Sequence, residues 1–223
     1  STGSAYNLES IIMLADTTAL NRLINESARR SAYLRPGSRY SVDSLKQVRI
    51  DIANRLRNKG YYFFSPEYIE YLADSTITKG AIALKLDLAA NIPSWAMKSY
   101  KVGRITTVIN RNSGTGTPDT FQTDRGTVIQ MQPSHLRRKL IPECIAFRTG
   151  KTFSVRDMNR TQTYLSRLGI FSEIDISAIP DTLAPEPTLD IDINCRFDKP
   201  LEATVEVNAS SKSNSYIGPG VVL

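Results

Sequence analysis

At 223 residues, with an apolar fraction of 41% and a charged fraction of 22%, the chain has the composition of a globular protein with one large or two small domains. Its formal net charge of +6 favours anionic surfaces, but the densest cationic groups, Arg29-Arg30 and Arg137-Arg138-Lys139, are short, so a solvated surface is the simpler reading. No stretch reaches the roughly 18 apolar residues of a spanning helix, and the N-terminus has no basic-apolar-small leader pattern, as in a mature chain, a piece of a longer one or a cytosolic one.

In chain order, a strand is predicted over residues 8–14 and a helix over 17–28. Within Gly37-Ser-Arg-Tyr40-Ser41-Val42, Ser41 is placed to cap a second helix by accepting a bond from a free N–H of its first turn. Leu45, Val48, Ile52 and Leu56 then fall at helical spacing and make one buried stripe. Gly60 ends that helix, where a left-handed cap costs least. The aromatic run Tyr61-Tyr62-Phe63-Phe64 begins a strand reaching Ile69, and Ile82, Leu84, Leu86 and Leu88 alternate with polar or small residues as a strand with one buried face. Proline in Asn91-Ile-Pro93-Ser94 marks a linker.

The same order then recurs. A strand is predicted over 101–110 and a helix over 134–145. Gly150-Lys-Thr-Phe153-Ser154-Val155 repeats the first motif, with Ser154 as cap and Asp157 three residues on in a capping-box-like place. Met158, Thr161, Leu165 and Leu168 make the stripe, Gly169 the stop, and Ile170-Phe171 opens a strand over 171–179. Leu189, Ile191, Ile193, Cys195 and Phe197 alternate in the closing strand. Each unit therefore reads strand-helix-helix-strand-strand, an α+β arrangement with two helices on one face of a three-stranded mixed sheet, the units meeting near residues 91–98. A Gly-, Thr-, Asp- and Asn-rich insertion at 111–126, followed by an alternating segment at 127–132, predicts a long loop or hairpin. Beyond Pro200, Leu201, Ala203, Val205, Val207 and Ala209 alternate with polar residues. A polar turn at 210–215 leads to Tyr216-Ile-Gly-Pro-Gly, and the pattern stops in mid-course, as in a partial chain.

Residues that carry catalysis are scarce. His135 has two arginines nearby and no nucleophile in a recognisable motif with it. Asp190, Asp192 and Asn194 share one strand face and read more simply as its wet side than as a cation site. Gly114-Thr-Gly116 follows no strand-to-helix turn. Cys144 and Cys195 have no metal-type spacing; a disulfide in an oxidising compartment and two small core residues both fit them. The aromatic run on a basic chain admits an RNA-binding sheet, against which adjacent aromatics on opposite faces argue for core packing.

The order of elements, with G-x-x-[YF]-S before the second helix and L-x-x-x-G-[YI]-[YF] after it, resembles polypeptide-transport-associated (POTRA) domains. Leu56-Arg-Asn-Lys-Gly-Tyr-Tyr-Phe-Phe64 and Tyr164-Leu-Ser-Arg-Leu-Gly-Ile-Phe171 are similar to the helix-to-strand junctions of BamA/TamA-type outer-membrane assembly proteins. Residues 201–223 look like the junction into the first barrel strands of that family. The resemblance implies tandem POTRA domains at 1–92 and 98–200, the second with the insertion at 111–126, and the start of a membrane β-barrel at 201–223. It implies the periplasmic face of the outer membrane of a Gram-negative bacterium, no enzymatic activity and no cofactor. Implied partners are unfolded outer-membrane polypeptides, periplasmic accessory proteins and, through the barrel, the membrane itself, with no nucleic acid. Substrates would add to open sheet edges by β-augmentation. The edges implied run over Tyr61, Tyr62, Phe63, Phe64, Tyr68 and Ile69 in the first unit and Phe171, Ile174, Ile176 and Ile179 in the second, with Pro66 and Glu67 blunting the first. A spacer holding other domains apart remains the alternative reading.

Overall fold

The computed structural model describes residues 6–76, 80–110, 117–131 and 136–197 with their side chains, and 207–212 and 216–221 as backbone. In the first unit, β1 (Asn7–Ile12) leads to α1 (Ala19–Arg29), where Thr18 Oγ1 accepts a bond from Asn21 N at 3.1 Å. The second helix, α2 (Val42–Arg57), is capped as predicted, Ser41 Oγ accepting from Ser44 N at 3.4 Å. Its stripe of Leu45, Val48, Ile52 and Leu56 is buried. The strands β2 (Ile69–Asp74) and β3 (Ala81–Leu88) complete a sheet of order β1-β3-β2. The central β3 runs parallel to β1 and antiparallel to β2, and Ile82, Leu84 and Leu86 fill the core beneath the helices.

In the second unit, β4 (Lys101–Asn110), β5 (Asp119–Thr123) and β6 (Gly126–Gln130) precede α3 (Leu140–Cys144) and α4 (Val155–Arg167), and β7 (Phe171–Pro180) and β8 (Thr188–Phe197) follow. The sheet order is β5-β6-β4-β8-β7. Its β4-β8-β7 part repeats β1-β3-β2 in direction and order. The described part of the inserted segment and the alternating residues after it therefore form a hairpin, and that hairpin makes this sheet five-stranded, where three strands were expected. β6 pairs in parallel with β4 and closes an edge that the three-stranded layout leaves open. Finally β9 (Val207–Lys212) and β10 (Tyr216–Val221) pair antiparallel in a sheet of their own. β9 runs through the first part of the predicted polar turn, whose remainder lies outside the described residues.

The repeated G-x-x-aromatic-S phrase has one structural meaning in both units. Gly37 N donates to Leu8 O, Leu8 N to Ser38 O and Tyr40 N to Tyr6 O, at 2.7–2.8 Å. Gly150 N donates to Val102 O, Val102 N to Lys151 O and Phe153 N to Tyr100 O, at 2.7–3.0 Å. Each phrase thus adds a short extended segment beside the first strand of its unit before the second helix begins.

Local expectations fail in three further places. Of the predicted helix over 134–145, whose first two residues lie outside the described residues, the rest shrinks to α3, because Pro142 has no N–H to give to residue 138 and its ring would strike that carbonyl. Proline is tolerated here because it lies in the first turn. Ser154 occupies the cap position of α4, but its side chain makes no bond to that helix's first turn, Oγ donating to Asn58 Oδ1 at 3.1 Å instead. Residues 61–68 are not a strand: the chain turns at 61–64, and Pro66–Tyr68 form a 3-10 turn before β2 starts at Ile69. The glycine stops are as expected, with φ of +93° at Gly60 and +65° at Gly169.

Candidate peptide-binding edge and the seam between the units

β7 is the outer strand of its sheet, paired with β8 on one side only. Two hydrogen bonds fix which of its backbone groups face outward. Asp181 N donates to Thr188 O at 3.0 Å across the same register, so Ile179, Ser177 and Asp175 turn their N–H and C=O groups toward β8. Ile174, Ile176 and Ala178 turn theirs to the open side. Ile174 O confirms this parity by accepting a bond from Gln162 Nε2 of α4 at 3.3 Å. The side chains alternate oppositely: Ile174, Ile176 and Ala178 pack on the second core, and Ile179 is half exposed on the other face. The available edge is therefore a backbone strip at Ile176 and Ala178, anchored by their own side chains and shortened at one end by Gln162. At Phe171 a register shift near the start of β7 interrupts the ladder.

In the first unit β2 is likewise an outer strand. Ala89 N donates to Tyr68 O at 3.0 Å, which turns Ile69, Tyr71 and Ala73 outward. Of the residues implied there, only Ile69 lies in the strand. Tyr61 and Phe64 are buried in the first core, and Tyr68 leans edge-on against Phe64 at 5.5 Å. Tyr62 and Phe63 point the opposite way and pack on the second core. Tyr62 meets Phe153 edge-on at 4.8 Å, and Phe63 meets Trp95 at 5.2 Å and Tyr100 at 5.4 Å. The aromatic run is thus a two-sided plug between the cores. Four neighbouring rings in a tight turn reach both sides, whereas in a strand half would have faced water.

Polar contacts continue this seam. Asn58, the C-cap residue of α2, accepts at its Oδ1 from Arg156 N at 2.8 Å and from Ser154 Oγ, and so caps the N-terminus of α4 from the other unit. Tyr100 N donates to Gly60 O at 2.9 Å and Ser99 Oγ to Lys59 O at 2.9 Å. Asn58, Gln162 and the plug were not legible from local pattern, because each acts across a long sequence separation.

Asp190 is held by Arg104, whose backbone N and guanidinium each reach the carboxylate at 2.8 Å. His135 lies outside the described residues, and among the described residues no metal-holding cluster occurs. Both cysteines are free and buried. Burial pushes the Cys195 thiol up to about 12, with Cys144 adding to the effect; burial, then Glu143, raises Cys144. A thiol whose folded pKa lies above its unfolded value stabilises the fold below that unfolded value, and the gain is lost as pH rises toward the folded one. Stability is therefore expected to fall between about pH 9 and 12, and Cys195→Ala should flatten that fall in chemical denaturation. An unchanged slope would remove the thiol as its cause.

No protein-family model matches the chain, and no curated protein matches it. Among solved structures, it is similar to BamA POTRA3-5 of Haemophilus influenzae at 12% identity and a TM-score of 0.50, covering 86% of this chain and 61% of that one. It is also similar to BamA from Haemophilus ducreyi lacking POTRA domains 1-3, at 12% identity and a TM-score of 0.57, covering 86% of this chain and 30% of that one. The chain thus spans less than two thirds of the length of either structure, and what the likeness shows is the fold.

Proposed function

We propose that this chain, whose fold is that of POTRA domains, is the periplasmic binding segment of an outer-membrane β-barrel assembly or translocation protein, with β7 receiving extended polypeptides by β-augmentation. Two domains at 1–92 and 98–200 and a barrel start at 201–223 belong to the same reading, to which the β9–β10 hairpin lends support. The observation that carries it is the outward strip of β7. Ile176 and Ala178 present backbone donors and acceptors on an outer strand, where water is the default partner and a peptide strand is the better-organised one. Such recognition is tolerant of sequence, as a receiver of many unfolded substrates requires. The aromatic run, on which a base-stacking reading would rest, is taken up by the two cores.

The test is titration of the full chain with extended, alternating apolar peptides, followed by NMR. Ile176→Pro and Ala178→Pro remove an outward N–H and leave the β7–β8 ladder intact, so binding should weaken while the spectrum stays dispersed. Ser177→Pro removes a ladder bond and should destabilise the unit. Shifts centred away from β7, or equal binding by wild type and both outward variants, would reject the site, and no binding at all would favour the spacer reading.

A further inference from the structure

A cleft of about 620 Å³ opens where the units meet, between the last turn of α2 and the exposed face of α4. Asn54 and Asn58 line it from the first unit, and Arg156, Arg160, Tyr164 and Arg167 from the second. Arg156 and Asn58 also line a smaller cleft, with Arg55, Lys59 and the paired Glu26 and Arg30. Among the described residues Arg55, Lys59, Arg156 and Arg167 form no ion pair, and Arg160 has only a partly exposed contact to Asp157 at 3.8 Å. No carboxylate lines the larger cleft, and Tyr164 leaves part of its ring exposed on the rim. Unpaired cations close together repel one another, so this arrangement is most favourable when an anionic partner is present.

We propose that this cleft is a docking site for an acidic helix of a partner protein. Arg156, Arg160 and Arg167 form a row along α4 spanning about 16 Å, too extended for convergence on one phosphate. A helix with glutamates at i, i+4 and i+11 repeats the same spacing. Beyond its first turn α4 bonds its own backbone groups internally, so along the row of arginines recognition is by side chains. An extended segment laid there would leave its own backbone groups unpaired; a helix would not. Because the occupant touches α2 and α4 together, it binds both units at once.

The experiment is fluorescence anisotropy of the full chain with a labelled helical peptide carrying glutamates at those positions. The controls are a scrambled peptide of equal composition and vesicles containing phosphatidylglycerol. The patterned peptide should bind at low salt and weaken as salt rises. The exposed pair Arg160→Glu with Arg167→Glu should weaken it by about tenfold or more, and a lysine-patterned peptide should bind that variant in preference to wild type. Asn54→Glu, which adds charge from the first unit, should also weaken it. Equal binding of the scrambled peptide, no response to Asn54→Glu, or charge-sensitive binding of vesicles without binding of the peptide would each overturn the proposal.

Discussion

Replacing Phe153 with alanine is expected to lower stability by about 3–5 kcal/mol, read as a shift of the urea midpoint at constant slope. The ring is 0% exposed, stacks on Phe147 at 5.8 Å and receives Tyr62 edge-on from the other unit. Alanine would leave a cavity walled by elements that cannot close it: the backbone of Phe153 is bonded to Tyr100, and Tyr62 is held in a turn. The loss should therefore include part of the seam as well as the second core. Tyr62→Ala, alone and combined with Phe153→Ala, separates the two contributions, with a coupling of about 0.5–1.5 kcal/mol expected for the ring pair. A cost below about 1 kcal/mol for Phe153→Ala would mean that this ring is not the centre of the packing described.

Gly60→Ala is expected to be far more damaging than the chemically identical Gly169→Ala. Both glycines adopt positive φ, and at Gly169 the added methyl group meets open space. Only the conformational penalty applies there, on the order of 1 kcal/mol. At Gly60 a Cβ would lie 2.9 Å from Tyr100 O and 2.9 Å from Thr152 Cγ2, besides striking Ser99 Oγ. Tyr100 O also accepts from Phe153 N, and Tyr100 N donates to Gly60 O, so the backbone there has little room to yield. The seam must open or the turn must deform. Denaturation of the two variants, with residual dipolar couplings to follow the orientation of the units, reads both effects. Equal stabilities and unchanged couplings would show that the close approach at Gly60 is not maintained in solution.

Much of the repeat was legible because its causes are local. Ser41 as a cap, the Leu45–Val48–Ile52–Leu56 stripe, the glycine stops and the alternation of Leu189, Ile191 and Ile193 each follow from one residue's chemistry or one period. The misreadings arose where a distant partner or a breaker decided. Tyr61–Phe64 have strand-like side chains, but each ring found burial in one core or the other, and Pro66 forbade continuation of a ladder. Ser154 sits at its cap position, yet Asn58, nearly a hundred residues earlier, supplies the acceptor. On β7 the edge itself was foreseeable, while the parity that makes Ile176 outward and Ile179 inward in backbone direction came only from the register with β8. Gln162, which occupies Ile174 O, gives no sequence signal because a surface glutamine is unremarkable on any helix.

The plug at Tyr62 and Phe63 also changes how the chain would respond to a pull. Pro93 and its neighbours look like a pivot, but the rings of Phe63, Trp95 and Tyr100 interlock across it. Torque applied to one unit would pass into the other through these rings and through the Asn58 amide, bypassing the linker. The pair would move as a lever of fixed angle under small loads and yield abruptly once the rings disengage. A residue inserted near Pro93 should therefore alter reach very little, whereas loss of the Phe63 ring should turn the lever into a hinge.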